Sequence, residues 1–299
     1  MSTSNYKFVL YHYTPTLAGA VIFAALFSLT TALHLFQRIR THTEYFTPFI
    51  VGGIFQIIGY GARAVSHFHT QNTTIYAMQN LFVLLAPTLY AASIYMVLGR
   101  IIIFLHGQHL SFVPVQLMTK IFVLGDVLSF LLQGAGGGIM SSSLQNSMVI
   151  GQWVIVAGLC VQLVFFGAFL TSSLIFHYQI NQSPTSESES AISSCGFIPR
   201  DWRGLLFALY SACVLILIRS VYRLIEFSQG NNGYLIGHEV FLYGFDATMM
   251  FLVMVVMNAF HPSVVLRSNE AVNTEESKQS LNISELREIR CNSGSASNV

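Results

Sequence analysis

Residues 203–227 read RGLLFALYSACVLILIRSVYRLIEF. From Gly204 to Ile218 no side chain carries a charge, and Leu, Ile, Val, Phe and Ala fill the run without strict alternation. A bilayer core is crossed by a helix of about 20 mostly apolar residues. A lipid-facing β-strand would instead alternate apolar and polar residues. The stretch 203–225 is therefore predicted as a membrane-spanning helix. At its end stand Arg219, Arg223 and Glu226, although only 9% of the chain's 299 residues are Asp, Glu, Lys or Arg.

Working outward, six more runs have the same character: 16–36, 46–66, 75–102, 116–138, 149–177 and 234–258. Soluble domains carry about 25% charged residues, and a chain that is 53% hydrophobic cannot hide its apolar surface in one soluble core of this size. The predicted fold class is all-α: an integral membrane bundle of seven transmembrane helices. The first run is too long for a signal-peptide core and lacks a small-residue cleavage site after it. A net charge of +1, with scattered basic residues, argues against a nucleic-acid partner. The four cysteines show no metal-ligand spacing. No GxSxG motif or GxxxxGK[ST] motif is present, so neither nucleophilic catalysis nor ATP-driven pumping by this chain is expected.

Lys and Arg favour cytoplasmic loops. Arg38, Arg40, Arg100, Lys120, Arg200, Arg203 and Arg267 all fall at odd-numbered connections or after the last span, while 67–74 and 139–148 contain no Lys or Arg. The N-terminus is thus expected outside and the C-terminus in the cytoplasm. Asn72-Thr73-Thr74 is a glycosylation sequon on the expected outer side. The domain plan is an extracellular N-terminus at 1–15, a transmembrane domain at 16–266 and a disordered cytoplasmic tail at 267–299. The Ser- and Glu-rich stretch 179–196 is likewise expected to be disordered, being too polar to offset the entropy of ordering.

Ionisable residues inside spans are costly and face the bundle interior. Gln56, Tyr60 and Arg63 share a face of the second span by i, i+4, i+7 spacing. Gln79 lies in the third span, and Asp126 and Gln133 lie seven apart in the fourth. Arg219, Arg223 and Glu226 form one stripe of the sixth span, and Glu239, Tyr243 and Asp246 one stripe of the seventh. The connection SQGNNGYLIG suits a tight reversal, so these two helices are expected to pack together. Depth then pairs Arg219 with Asp246 and Arg223 with Glu239. Three arginines face four carboxylates, which leaves one carboxylate over as a candidate for protonation. The set serves either as helix-locking ion pairs or as an outward-facing polar cleft for a charged or amphiphilic head group. His67, His69 and His238 beside Glu239 suggest a metal-hydrolase alternative, disfavoured because no HExxH is present.

Five blocks in order carry a family resemblance: QIIGYGAR (56–63), LLAPTLYAASIYMVLGR (84–100), GDVLSFLLQGAGGG (125–138), RSVYRLIEFSQG (219–230) and GYLIGHEVFLYGFDA with NAFHP (233–247 and 258–262). Over about residues 15–265 the chain resembles the fungal lipid-translocating exporters, seven-span proteins associated with resistance to 7-aminocholesterol. The resemblance implies a non-enzymatic protein of the plasma membrane or endomembranes. It implies export of amphiphilic lipids such as sphingoid long-chain bases and tolerance of lipid-like toxins, with no cofactor. The expected partners are membrane lipids, an amphiphilic small molecule and cytoplasmic regulators of the tail. The candidate ligand-binding residues are Arg63, Gln79, Asp126, Gln133, Arg219, Arg223, Glu226, Glu239, Tyr243 and Asp246. The alternative reading is a seven-span sensor of lipid asymmetry or stress that signals through its tail.

Overall fold

A computed structural model describes residues 16–69, 72–110, 114–140, 147–185, 202–230, 233–235 and 237–263. The expected N-terminal segment 1–15, most of the Ser- and Glu-rich connection, the tail from 267, Cys195 and Cys291 lie outside the described residues. Those described are almost entirely helical, with no strand among them. Seven of the helices are long and apolar enough to cross a membrane. They are α1 (Leu17–Thr41), α2 (Thr47–Ser66), α3 (Thr73–Phe104), α4 (Val115–Met140), α5 (Ser147–Gln182), α6 (Trp202–Ser228) and α7 (Glu239–Ala259). The protein is a multi-pass membrane protein.

Three boundaries differ from expectation, each for a local reason. Helix α1 runs on past 36 to Thr41 and stops where His42 takes the left-handed φ of 52°. Helix α5 runs on to Gln182, so residues 179–182 are helical rather than part of a disordered stretch. Nothing in Gln179–Gln182 breaks a helix, and the break comes at Pro184, which disfavours helical backbone in the residue before it. Helix α7 begins at Glu239 rather than at 234. Gly230 takes φ +72°, a left-handed value that glycine adopts without strain. Turn bonds then run from Gly233 N–H to the Gly230 carbonyl and from His238 N–H to the Leu235 carbonyl.

The helices pack as neighbours in chain order, α7 returns to α1, and α3 lies against α6 across the middle. Burial follows that order. Two thirds of the apolar window of α3 is buried, against 28% for α1 and for α4, so α3 is central and α1 and α4 turn most of their surface outward to lipid. The core is aromatic and aliphatic: Tyr90, Ile94, Tyr95 and Val97 of α3 meet Phe49 of α2, Phe169 of α5, and Leu206 and Ala212 of α6. Cys213 is buried in it, while Cys160 is exposed.

The glycine-rich stretch 133–140 is helical, closes α4 and packs against α5. A Cβ on Gly136 would lie 2.6 Å from the Gly151 carbonyl, and one on Gly151 would lie 2.5 Å from the Gly136 carbonyl. Only the smallest residue permits that approach. Pro87 sits inside α3. Lacking an N–H, it leaves the carbonyl four residues earlier, Val83, without a helical donor.

Candidate functional site

Helix α6 presents Arg219, Arg223 and Glu226 on one buried face. Asp246 of α7 bridges the two arginines: Arg219 Nε donates to Oδ1 at 2.5 Å, and Arg223 Nη2 donates to Oδ2 at 2.7 Å. Glu226 accepts from Arg223 Nη1 at 2.9 Å and from the Tyr222 hydroxyl at 3.1 Å. Arg219 also donates from Nη2 to the Val83 carbonyl at 3.0 Å. That carbonyl is the one Pro87 frees, so a proline in α3 supplies the acceptor that seats an arginine of α6.

A second group of contacts closes the end of the bundle where α7 begins. Arg63, in the last turn of α2, donates from Nη2 to Glu239 Oε1 at 2.7 Å and from Nε to the Tyr243 hydroxyl at 3.1 Å. The Thr16 backbone N–H, at the start of α1, lies 3.0 Å from both oxygens of Glu239. Gly19 makes room for Tyr243, whose ring would lie 2.7 Å from a Cβ there. Phe23 stacks on the same ring with centroids 5.4 Å apart. Tyr60 lies within the same aromatic group, 6.3 Å from Tyr243.

The six ionised side chains balance as three cations against three anions. Charges buried this deeply persist only when paired and hydrogen-bonded, and each of the six has at least one charged partner. Exposure rises from 1% at the Asp246 side chain to 11% at Glu239. Glu239, paired with Arg63, is therefore the most exposed of the three carboxylates, and Asp246, in the α6–α7 cluster, the most deeply buried. Between them α7 is not regular: Leu242–Ala247 form a π segment, with the Thr248 hydroxyl donating to the Tyr243 carbonyl at 2.8 Å. Such segments recur at functional sites.

Arg219 pairs with Asp246 as expected. Arg223 does not reach Glu239; it holds Asp246 and Glu226 instead. The π segment explains the difference. It closes i→i+5 bonds and turns less per residue than an α-helix, so Asp246 no longer shares a face with Glu239 and Tyr243. Asp246 meets α6, whereas the earlier pair meets α2 and α1. The predicted set also divides. Asp126 and Gln133 lie on the buried face of α4 and make their polar contacts away from the network. The Tyr95 hydroxyl donates to Asp126 at 2.9 Å, and Gln133 Nε2 donates to Gln162 Oε1 at 3.1 Å. Gln79 is buried on α3, with its carbonyl beside Gly59 of α2. Tyr222, the Val83 carbonyl and the Thr16 N–H join the network beyond the predicted set. Backbone groups carry no side-chain signal, and Pro87 was the one hint of them.

Asn72 caps α3, its Oδ1 accepting from the N–H groups of Thr74 at 3.0 Å and Ile75 at 3.4 Å. Among the described residues no group of three or more His, Cys, Asp or Glu side chains is placed to hold a metal ion. The His67, His69, His238 and Glu239 alternative therefore does not assemble, and Glu239 is taken by Arg63 and Thr16.

No solved structure matches the chain. Protoporphyrin uptake protein 1 of Saccharomyces cerevisiae is 36% identical over 86% of this chain and 93% of its own length. The probable lipid transporter atnI of Emericella nidulans is 28% identical over 86% of this chain and 68% of its own. The sphingoid long-chain base transporter RSB1 of Saccharomyces cerevisiae is 27% identical over 85% of this chain and 73% of its own. The RTA1 like protein family matches residues 49–269, which contain every ion pair of the network, and the chain belongs to that family.

Proposed function

We propose that this protein translocates or exports amphiphilic lipids of the sphingoid long-chain base class, and that the α2–α6–α7 network holds the head group. One observation carries the reading: a charge-balanced buried network ends in its most exposed carboxylate, Glu239, beside a helix whose apolar face is turned to lipid. A long-chain base presents an ammonium on an aliphatic tail. That ammonium can pair with Glu239, the most exposed of the three carboxylates, sharing it with Arg63. The tail stays in hydrocarbon along α1, where Val21, Ile22 and Leu29 are exposed. Relatives bearing the names lipid transporter and sphingoid base transporter support the substrate class. The network offers both signs of charge, which also suits a relative named for porphyrin uptake.

In this reading the role is transport rather than catalysis. The N-terminus lies outside, Glu239 opens to the outer side of the plasma membrane, and Asn72 is glycosylated there. The test is growth in the presence of added long-chain base, with the surface level of each variant measured in parallel. Glu239→Gln is expected to lower tolerance at unchanged surface level, and Asp246→Asn, which takes a counter-ion from two buried arginines, to lower tolerance relative to the amount at the surface. Full tolerance in both variants would rule out the head-group role.

A further inference from the structure

The carboxylate left over from the ion network is Asp126. It is 1% exposed and lies near the middle of α4. Its Oδ2 accepts the Tyr95 hydroxyl at 2.9 Å, while its Oδ1 is buried with no hydrogen-bond partner. Rings surround the pair: Phe122 of α4 and Phe166 and Phe169 of α5 have centroids 5.7, 6.1 and 4.3 Å from Tyr95. Cys213 of α6 belongs to the same buried core cluster as Tyr95. Among the described residues Asp126 forms no ion pair, and the arginines of the bundle interior are committed to Glu226, Glu239 and Asp246. Tyr95 is thus the titratable group that faces it, and it is not a cation.

A carboxylate buried without a counter-ion is a poor resting state; it binds a proton or is exposed. The buried face of α4 continues from Asp126 through Ser129 to Gln133, about 10 Å along the axis at the usual rise. There the Gln133–Gln162 amide pair leads toward the end of α4. Helix α3 carries Tyr95 at this site and, on the other side of Pro87, the Val83 carbonyl that seats Arg219.

We infer that Asp126 is a proton-binding site that drives or gates lipid movement. Oδ1 takes a proton from water arriving along the Gln133 face, and the carboxyl returns it to water later in the cycle; nothing is oxidised or reduced. The Tyr95 bond changes strength with that exchange, and α3 carries the change to the seat of Arg219. Only this coupling rests on the transport reading; the proton site does not.

The test uses the full chain, purified and reconstituted in liposomes without substrate. Infrared spectra are recorded as the pH is stepped. The expected result is a protonated-carboxyl band that grows and fades with pH, is absent from Asp126→Asn, and shifts in Tyr95→Phe, which keeps the carboxyl. A band that survives in Asp126→Asn, or no titrating carboxyl in either wild type or Tyr95→Phe, would overturn the proton site. Flux of a labelled long-chain base is then followed under an imposed pH gradient. It is expected to respond several-fold to the gradient in wild type and not in Asp126→Asn. A flux that ignores the gradient in wild type, or follows a sodium gradient instead, would overturn the coupling. Absence of any flux beside a titrating band would count against the transport reading and leave the proton site standing.

Discussion

Asp246 holds the site together at the scale of single residues. One carboxylate pairs with two buried guanidinium groups, so its removal strands Arg219 and leaves Arg223 with Glu226 alone. Breaking a buried pair from one side costs about 3–5 kcal/mol, whereas replacing both partners with apolar groups of similar volume costs little. Asp246→Ala is therefore expected to lower unfolding stability in detergent by an amount in that range. Combining Asp246→Leu with Arg219→Met and Arg223→Met, in a Glu226→Gln background that leaves no carboxylate stranded, should cost much less than the sum of the single changes, as denaturant titration would show. Additive losses would mean that the three residues do not act as a unit. The Arg219–Asp246 pair was legible in the sequence because both lie on helix stripes joined by a short connection. The Arg63–Glu239 pair was not, since nothing in the spacing says that α2 and α7 are neighbours.

Among elements, the departures from regular helix do the positioning. Pro87 opens an acceptor for Arg219, and the π segment turns Asp246 toward α6 while Glu239 faces α2. Hydrophobic length alone located all seven spans to within a few residues. It could not locate the π segment, because stripe arithmetic assumes a constant turn per residue. The α4–α5 joint rests on contact between Gly136 and Gly151 rather than on any side-chain pairing. Gly151→Leu is expected to force the two helices apart and lower the melting temperature by several degrees. Gly134→Ala, where a Cβ would meet nothing within 4 Å, is expected to leave it unchanged or raise it slightly, by about 0.5–1 kcal/mol of helix propensity. Equal effects of the two changes in thermal unfolding would contradict the close-packing account.

Across the whole molecule, the charge distribution and the one sequon in an expected outer connection point the same way. Asn72 uses Oδ1 to cap α3, which leaves its amide nitrogen for a sugar. An endoglycosidase-sensitive mass shift is expected in the wild type and not in Asn72→Gln. A shift that depends instead on Asn282, in the sequon Asn282-Ile283-Ser284, would place the C-terminus outside and invert the site. The seven-helix class, the membrane location and the main polar stripes were readable from composition and periodicity. How those stripes divide into an α6–α7 ion cluster, an Arg63–Glu239 pair and an isolated carboxylate was not, because that depends on which helices touch.

The central claim is that the α2–α6–α7 network recognises a lipid head group during translocation. Its most direct test is flux of a labelled sphingoid long-chain base across liposomes containing only the purified protein, wild type against Glu239→Gln. Wild-type protein is expected to move the base well above the rate of empty liposomes, and Glu239→Gln to lose most of that increment while remaining folded. Equal flux in the two proteins, or wild-type flux no greater than that of empty liposomes, would contradict the account.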